Sequence, residues 1–190
     1  MNRAQEKFGE PSGIVLKKVA PFLDSMVQEF IRQAPFAVLA TSDADGNCDA
    51  SPMGGKPGFV KVLDARRLLI PDIAGNKLFH SYANVETNPK AALVFLIPGC
   101  DWTVRVNGRV SVVSPDDVHL AGLSPEVLAS DDNTRVLQAL LLEVVEAYAH
   151  CPRAFTFSGL WDPERIAETR ASDPHRYWYG RFREAIAERS

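Results

Sequence analysis

Cysteine is scarce: Cys48, Cys100 and Cys151 are the only three in a chain of 190 residues, and no two form a CxxC pair. Their odd number and wide spacing argue against a disulfide framework or a zinc site and fit a reducing, cytoplasmic compartment. An excess of one charge is also missing. Lysine and arginine total 21 against 24 acidic residues, a formal net charge of -3. That excludes nucleic-acid binding driven by bulk positive charge. Long hydrophobic runs are absent too. The stretches 91–97 and 136–145 are too short to span a bilayer, and the opening MNRAQEKFGEPSG has no apolar segment of the kind a signal peptide carries.

Familiar chemical motifs are equally thin. His80, His119, His150 and His175 have no metal-ligand spacing to one another or to Cys, Asp or Glu, so no metal is expected. His150 and Cys151 are neighbours, and neighbours on a strand point to opposite faces. There is no G-x-S-x-G, and no GxGxxG follows a strand. Gly54-Gly55-Lys56 fails as a P-loop, because position 50 is alanine and Lys56 is followed by Pro57. No catalytic acid or base can be named on sequence grounds.

What the chain does have is a succession of short strand patterns broken by turn residues. Hydrophobic residues make up 46% and charged residues 24%, the balance of an ordinary globular domain. Phe22, Leu23, Met26, Val27, Phe30 and Ile31 recur at helical spacing, which predicts a helix over about 21–33 with Pro21 in its first turn. Phe36–Thr41 and Cys48–Met53 flank an Asp-Gly turn and predict a hairpin. Short strands are expected at 59–63 and 67–70, with 71–75 as a loop. A helix is expected over 76–86, then an apolar strand at 90–97.

The clearest strand runs from Trp102 to Val113. Trp102, Val104, Val106, Val110 and Val112 fall on one face, and Thr103, Arg105, Asn107, Arg109 and Ser111 on the other. Gly108 marks a bulge or a bend in it. Ser114 and Ser124 have the setting of helix N-caps, and a further strand is expected to end near His150, before a helix starting at Arg153. Asp173-Pro174 marks a break in an otherwise unassigned tail, 164–190. Six or seven strands without βαβ alternation predict a mainly β fold with helices, an antiparallel barrel in one domain whose core spans about 36–163.

Gly75-Asn76-Lys77 lies between an expected strand and an expected helix. Unpaired N–H groups at a helix start and a lysine beside them would suit a phosphate. A plain turn with a solvated lysine fits the same residues. Arg105 and Arg109 sit on the polar face of the long strand, which either lines a pocket or faces water.

Taken in order, the motifs are more specific than any one of them. The residues FAVLAT, an Asp-Gly hairpin, Ala50-Ser51-Pro52-Met53-Gly54, Leu68-Leu69-Ile70-Pro71-Asp72, Gly75-Asn76-Lys77, NPKAALVF from Asn88 and Val104-Arg105-Val106-Asn107-Gly108-Arg109 resemble the pyridoxamine 5′-phosphate oxidase-like family. The closing His150-Cys151-Pro152-Arg153-Ala154 and Leu160-Trp161-Asp162-Pro163 are similar to a bacterial branch of probable FMN-dependent enzymes. The resemblance covers about 36–163. It implies an FMN-binding split β-barrel and a homodimer with FMN at the interface. It also implies an oxidoreductase acting between a small-molecule electron donor and acceptor, with neither nucleic acid nor membrane as partner.

Carried over by position, Ser51, Pro52 and Met53 would lie along the flavin ring and ribityl chain, and Ile70 and Pro71 would offer backbone contacts. Asn76 and Lys77 would face the phosphate, and Thr103 and Arg105 would line the pocket from the long strand. The same barrel also accommodates a non-catalytic flavin carrier, or deazaflavin or haem in place of FMN.

Overall fold

A computed structural model describes residues 2–75, 77–114, 116, 123–132 and 134–189. The chain divides into two compact units, residues 1–97 with 102–150, and residues 98–101 with 151–190.

The first unit holds helices α1 (Arg3–Phe8), α2 (Gly13–Lys17), α3 (Ser25–Gln33) and α4 (His80–Thr87). It also holds strands β1 (Phe36–Ser42), β2 (Cys48–Gly54), β3 (Lys61–Asp64), β4 (Arg67–Ile73), β5 (Lys90–Leu96), β6 (Thr103–Val113) and β7 (Val136–His150). The strands form one antiparallel sheet in the order β2-β1-β5-β6-β7-β4-β3. Its two ends, β2 and β3, pair with no further strand among the described residues, so the curled sheet stays open between them.

One hydrophobic cluster takes residues from strands across the sheet. Ala37 and Leu39, Leu68 and Ile70, Leu93 and Phe95, Val104 and Val106, and Leu140 and Leu142 all reach it. Met53 and Val62 pack on it from the two end strands. Strand periodicity does this: alternate residues of β1, β5 and β6 are buried, as a sheet with one covered face requires. Val27 and Ile31 of α3 close the cluster from one side and Val85 of α4 from another.

Several expectations are refined. Helix α3 starts at Ser25, because the Asp24 carboxylate accepts the Val27 N–H at 2.8 Å and caps it; Pro21 lies outside. The β1–β2 hairpin is as expected. Asp43 accepts from the Asp45 and Asn47 amides, and Gly46 takes φ 86, a left-handed value that favours glycine. Pro71, Asp72 and Ile73 belong to β4 and pair with β7, although a loop is the sequence expectation. Val112 is exposed and Val113 buried, so the strand's apolar face does not run through Val112.

The bulge is real but lies opposite Gly108. Asn107 faces Glu146 and Gly108 faces Val144, which leaves Val145 as the extra residue on β7. A side chain at 108 would run into the Glu143 carbonyl, and glycine allows that approach. Residues 123–127 are not helical, so Ser124 caps no helix; the Ser114 reading depends on Pro115, which lies outside the described residues.

The second unit holds α5 (Arg153–Ser158), α6 (Pro163–Ala171) and α7 (Pro174–Ala187). Asp162 and Asp173 cap the last two, accepting the Arg165 and Arg176 amides, each with proline in the first turn. Trp161 stacks on Phe155 and donates its indole N–H to the Cys100 carbonyl at 3.1 Å. No helix among the described residues is long and apolar enough to cross a membrane.

Candidate functional site

The open side of the sheet carries a cavity of about 520 Å³. That is within the roughly 300–1,000 Å³ of small-molecule sites. Most of its lining comes from β2, the C-terminal half of β4, and residues 75–82, the loop into α4 with that helix's first turn. Ser51, Pro52, Met53, Ile70, Pro71 and Lys77 all line it, as do Asp49, Asp72, His80, Ser81 and Tyr82. The floor is apolar, made by Leu39, Phe59, Ile70 and Leu140. Asn76 lies outside the described residues.

Lys77 does not open a helix. Helix α4 starts at His80, and its N-cap is Phe79 in the left-handed region with no side-chain cap. Lys77 at φ 62 and Phe79 at φ 51 are both non-glycine residues in that region, which costs of order 1–3 kcal/mol each. The loop turns Lys77 to the cavity by this route, without the N–H groups of a helix terminus.

Thr103 and Arg105 are not in the cavity. Val104 and Val106 point into the core, so their neighbours belong to the other face of β6. There Thr103 is buried, and the Arg105 Nε is buried with no hydrogen-bond partner. The same face carries a broad depression of about 640 Å³ over Ala40, Ala50, Ala92, Asn107 and Glu146, where Asn107 donates to Glu146 at 2.6 Å.

Two polar clusters in the cavity were not foreseen. In the first, the Ser51 hydroxyl donates to Asp49 Oδ2 at 2.9 Å. Ser81 lies 3.0 Å from Ser51 and 3.2 Å from the same carboxylate oxygen. In the second, Gln138 donates to Asp72 Oδ2 at 3.3 Å and the Tyr82 phenol also donates to Asp72. Burial pushes the Asp72 carboxyl above the ordinary range, opposed by those two hydrogen bonds. Burial and the Asp72 charge together push the Tyr82 phenol far up, so Tyr82 stays protonated. The Phe79 ring packs edge-on against Tyr82 at 6.1 Å. One sequence signal was available: Asp49, Ser51 and Met53 alternate on β2, and the structure part-buries all three.

A sequence model described as pyridoxamine 5′-phosphate oxidase matches residues 23–151, more than half of the chain. The chain belongs to that family. A pyridoxamine 5′-phosphate oxidase candidate from Lactobacillus delbrueckii is 24% identical with a TM-score of 0.50, covering 68% of this chain and 95% of its own. It shows that the fold of this family member is the antiparallel split β-barrel. HupZ of Group A Streptococcus is 14% identical (TM-score 0.47, 65% and 90% covered). A pyridoxamine 5′-phosphate oxidase-related, FMN-binding protein of Nostoc punctiforme is 15% identical (TM-score 0.43, 68% and 83% covered). These two are too distant to carry more. No curated protein matches the chain.

Proposed function

We propose that this protein is a homodimeric FMN-binding oxidoreductase acting on a small molecule. The observation that carries the reading is the meeting of Ser51, Pro52, Met53, Ile70, Pro71 and Lys77, drawn from three separate segments, around one cavity. The residues fit the group. An apolar floor suits a flavin ring, hydroxyl and carboxylate acceptors suit ribityl O–H donors, and Lys77 suits a phosphate. FMN, when bound, supplies the redox chemistry; the protein positions it, excludes water and sets the surrounding charge.

The dimer is supported by the outer face of β6. Ala40, Ala50 and Ala92 leave a broad depression on that face, and this reading lays a second copy of the chain across it. In this reading Thr103 and Arg105 serve the partner's cavity instead of their own. An obligate interface of this kind buries on the order of 2,000 Å² or more. Light scattering is expected to give a dimer at micromolar concentration; a monomer with FMN bound removes this part of the reading.

The decisive experiment is calorimetric titration of wild type and Lys77→Ala with FMN and riboflavin. A charge-assisted hydrogen bond is worth about 1.5–3 kcal/mol, so the variant should lose roughly ten- to a hundred-fold or slightly more in FMN affinity. Riboflavin has no phosphate and should bind both proteins alike. Equal losses for the two ligands, or none, exclude Lys77 as the phosphate contact.

A further inference from the structure

The walls of the cavity are not equally fixed. β2 and β4 belong to the sheet, and α4 is tied to the core through Val85. Residues 123–127, which bring Ser124 and Glu126 to the cavity, belong to no helix or strand. At one end Leu123 packs on the cluster of Leu69, Val113 and Ala139. At the other, Leu128 is 81% exposed and is followed by exposed Ala129 and Ser130. Among the described residues, every hydrogen bond and ion pair from 124–128 to the barrel falls on Glu126.

Those contacts form a small latch. The Lys56 amide, two residues past the end of β2, donates to the Glu126 carbonyl at 2.6 Å. The Lys56 and Lys61 ammonium groups approach the Glu126 carboxylate at 4.0 and 3.9 Å. All three side chains are part-exposed, so these ion pairs are weak and open to screening by salt. Gly55 permits the close approach: a side chain there would run into the Glu126 carbonyl oxygen and the Phe59 side chain. β2, by contrast, pairs with β1 along its whole length. A segment held by one backbone hydrogen bond and two weak ion pairs can open while the barrel stays folded.

We propose that residues 123–127 form a strap that opens and closes the cavity, with Glu126 as its latch. The proposal rests on the cavity being the flavin site and adds how a ligand enters and leaves it. The strap stands against the cavity wall in the ligand-free chain, so the latch acts on the empty site as well as on the filled one. Weakening it therefore speeds association and dissociation together and leaves affinity nearly unchanged.

The test follows flavin fluorescence by stopped flow on the purified full chain, with riboflavin and FMN as probes. Riboflavin is uncharged, so its rates report the strap without charge steering. Glu126→Gln keeps the shape and removes both ion pairs. It is expected to raise the riboflavin association and dissociation rates roughly two- to five-fold, the scale of exposed ion pairs, and FMN should follow. Added salt should speed riboflavin in wild type and have little effect in the variant. Glu126→Lys should go further, and combining it with Lys56→Glu and Lys61→Glu should bring the rates back toward wild type. Hydrogen exchange at the Lys56 amide reads the latch with no ligand present, and should quicken by the same factor in Glu126→Gln. Melting curves identify any variant that misfolds; Glu126→Gln and the salt series then decide. Unchanged riboflavin rates and unchanged Lys56 exchange in Glu126→Gln overturn the proposal. So does a loss of affinity at an unchanged association rate, which makes Glu126 a ligand contact, or an effect on FMN alone, which makes it a charge acting on the phosphate. If neither flavin binds wild type, the flavin reading falls by itself and Lys56 exchange decides the latch.

Discussion

The barrel unit and the C-terminal unit are built on opposite terms. The barrel buries Phe95, Leu93, Leu68 and Leu142 to 0% exposure behind a continuous sheet. In the other unit no described residue is buried, and Tyr177, Trp178, Tyr179, Phe182 and Ile186 of α7 are each more than half exposed. Its helices of 6, 9 and 14 residues are held by ring contacts and, in the last two, by side-chain caps. Helices this short are marginal in water without tertiary packing. The family match ends at residue 151, four residues past Ala147, the last buried residue among those described. Shared fold and shared core thus coincide in the barrel, whereas the tail's order rests on local interactions.

The largest effect that would sharpen this contrast is in core truncation. Phe95→Ala should cost about 3–5 kcal/mol, the usual range for a buried phenylalanine. Phe182→Ala, at an exposed site, should stay within about 0.5 kcal/mol. Urea melts measure both. Comparable losses would mean that α7 is packed in solution against something the single chain lacks. Hydrogen exchange makes the same comparison amide by amide: protection near the global limit in β6 and β7, and far faster exchange in α6 and α7.

Next in size is the bulge. Gly108→Ala places a methyl group against the Glu143 carbonyl and the Leu142 side chain. Overpacking of that kind costs about 1–3 kcal/mol. Gly180→Ala in α7 meets nothing within 4 Å and removes a helix-interior glycine, so it should stabilise slightly. Opposite signs for one chemical change in the two units would confirm the comparison in denaturant melts; a stabilising Gly108→Ala would break it.

These contrasts also explain what could be read from the sequence. Strands were legible where period-2 patterning coincided with one covered face, as in β1 and β6, and the hairpin because Asp-Gly at 45–46 specifies its own turn. The start of α4 was not, because Lys77 and Phe79 adopt left-handed values that their residue types do not announce. The tail helices were signalled by Asp162-Pro163 and Asp173-Pro174, each an N-cap followed by proline, but those signals carried no apolar core to confirm them. In the site, the resemblance named Ser51, Pro52, Met53, Ile70, Pro71 and Lys77, which line the cavity, and Thr103 and Arg105, which do not. Asp49, Asp72, Ser81 and Tyr82 were not legible, since only the meeting of β2, β4 and α4 turns four ordinary polar residues into two hydrogen-bonded clusters.

The smallest expected effect tests whether the barrel tolerates Asp72 at a cost to its stability. Burial raises the folded-state carboxyl above its unfolded value near 3.8, with Gln138 and Tyr82 pulling the other way. Between the two values the folded chain holds a proton that the unfolded chain has released. The contribution of Asp72 to stability is therefore greatest below the unfolded value and is lost as pH rises through the raised folded one. Asp64, the last residue of β3, has the opposite sign. The Arg66 amide and the Arg67 side chain lower it, so its contribution is present at neutral pH and lost on acidification. Asp72→Asn removes the first dependence and leaves the second. The variant should accordingly gain on wild type as pH rises from 3 to 7, by no more than about 2–4 °C in Tm, the yield of 1 kcal/mol in a chain of this size. Thermal melts of both proteins across that range decide the sign. If wild type gains on the variant toward neutral pH, Asp72 is held as a stabilising carboxylate, and its hydrogen bonds to Gln138 and Tyr82 outweigh its burial.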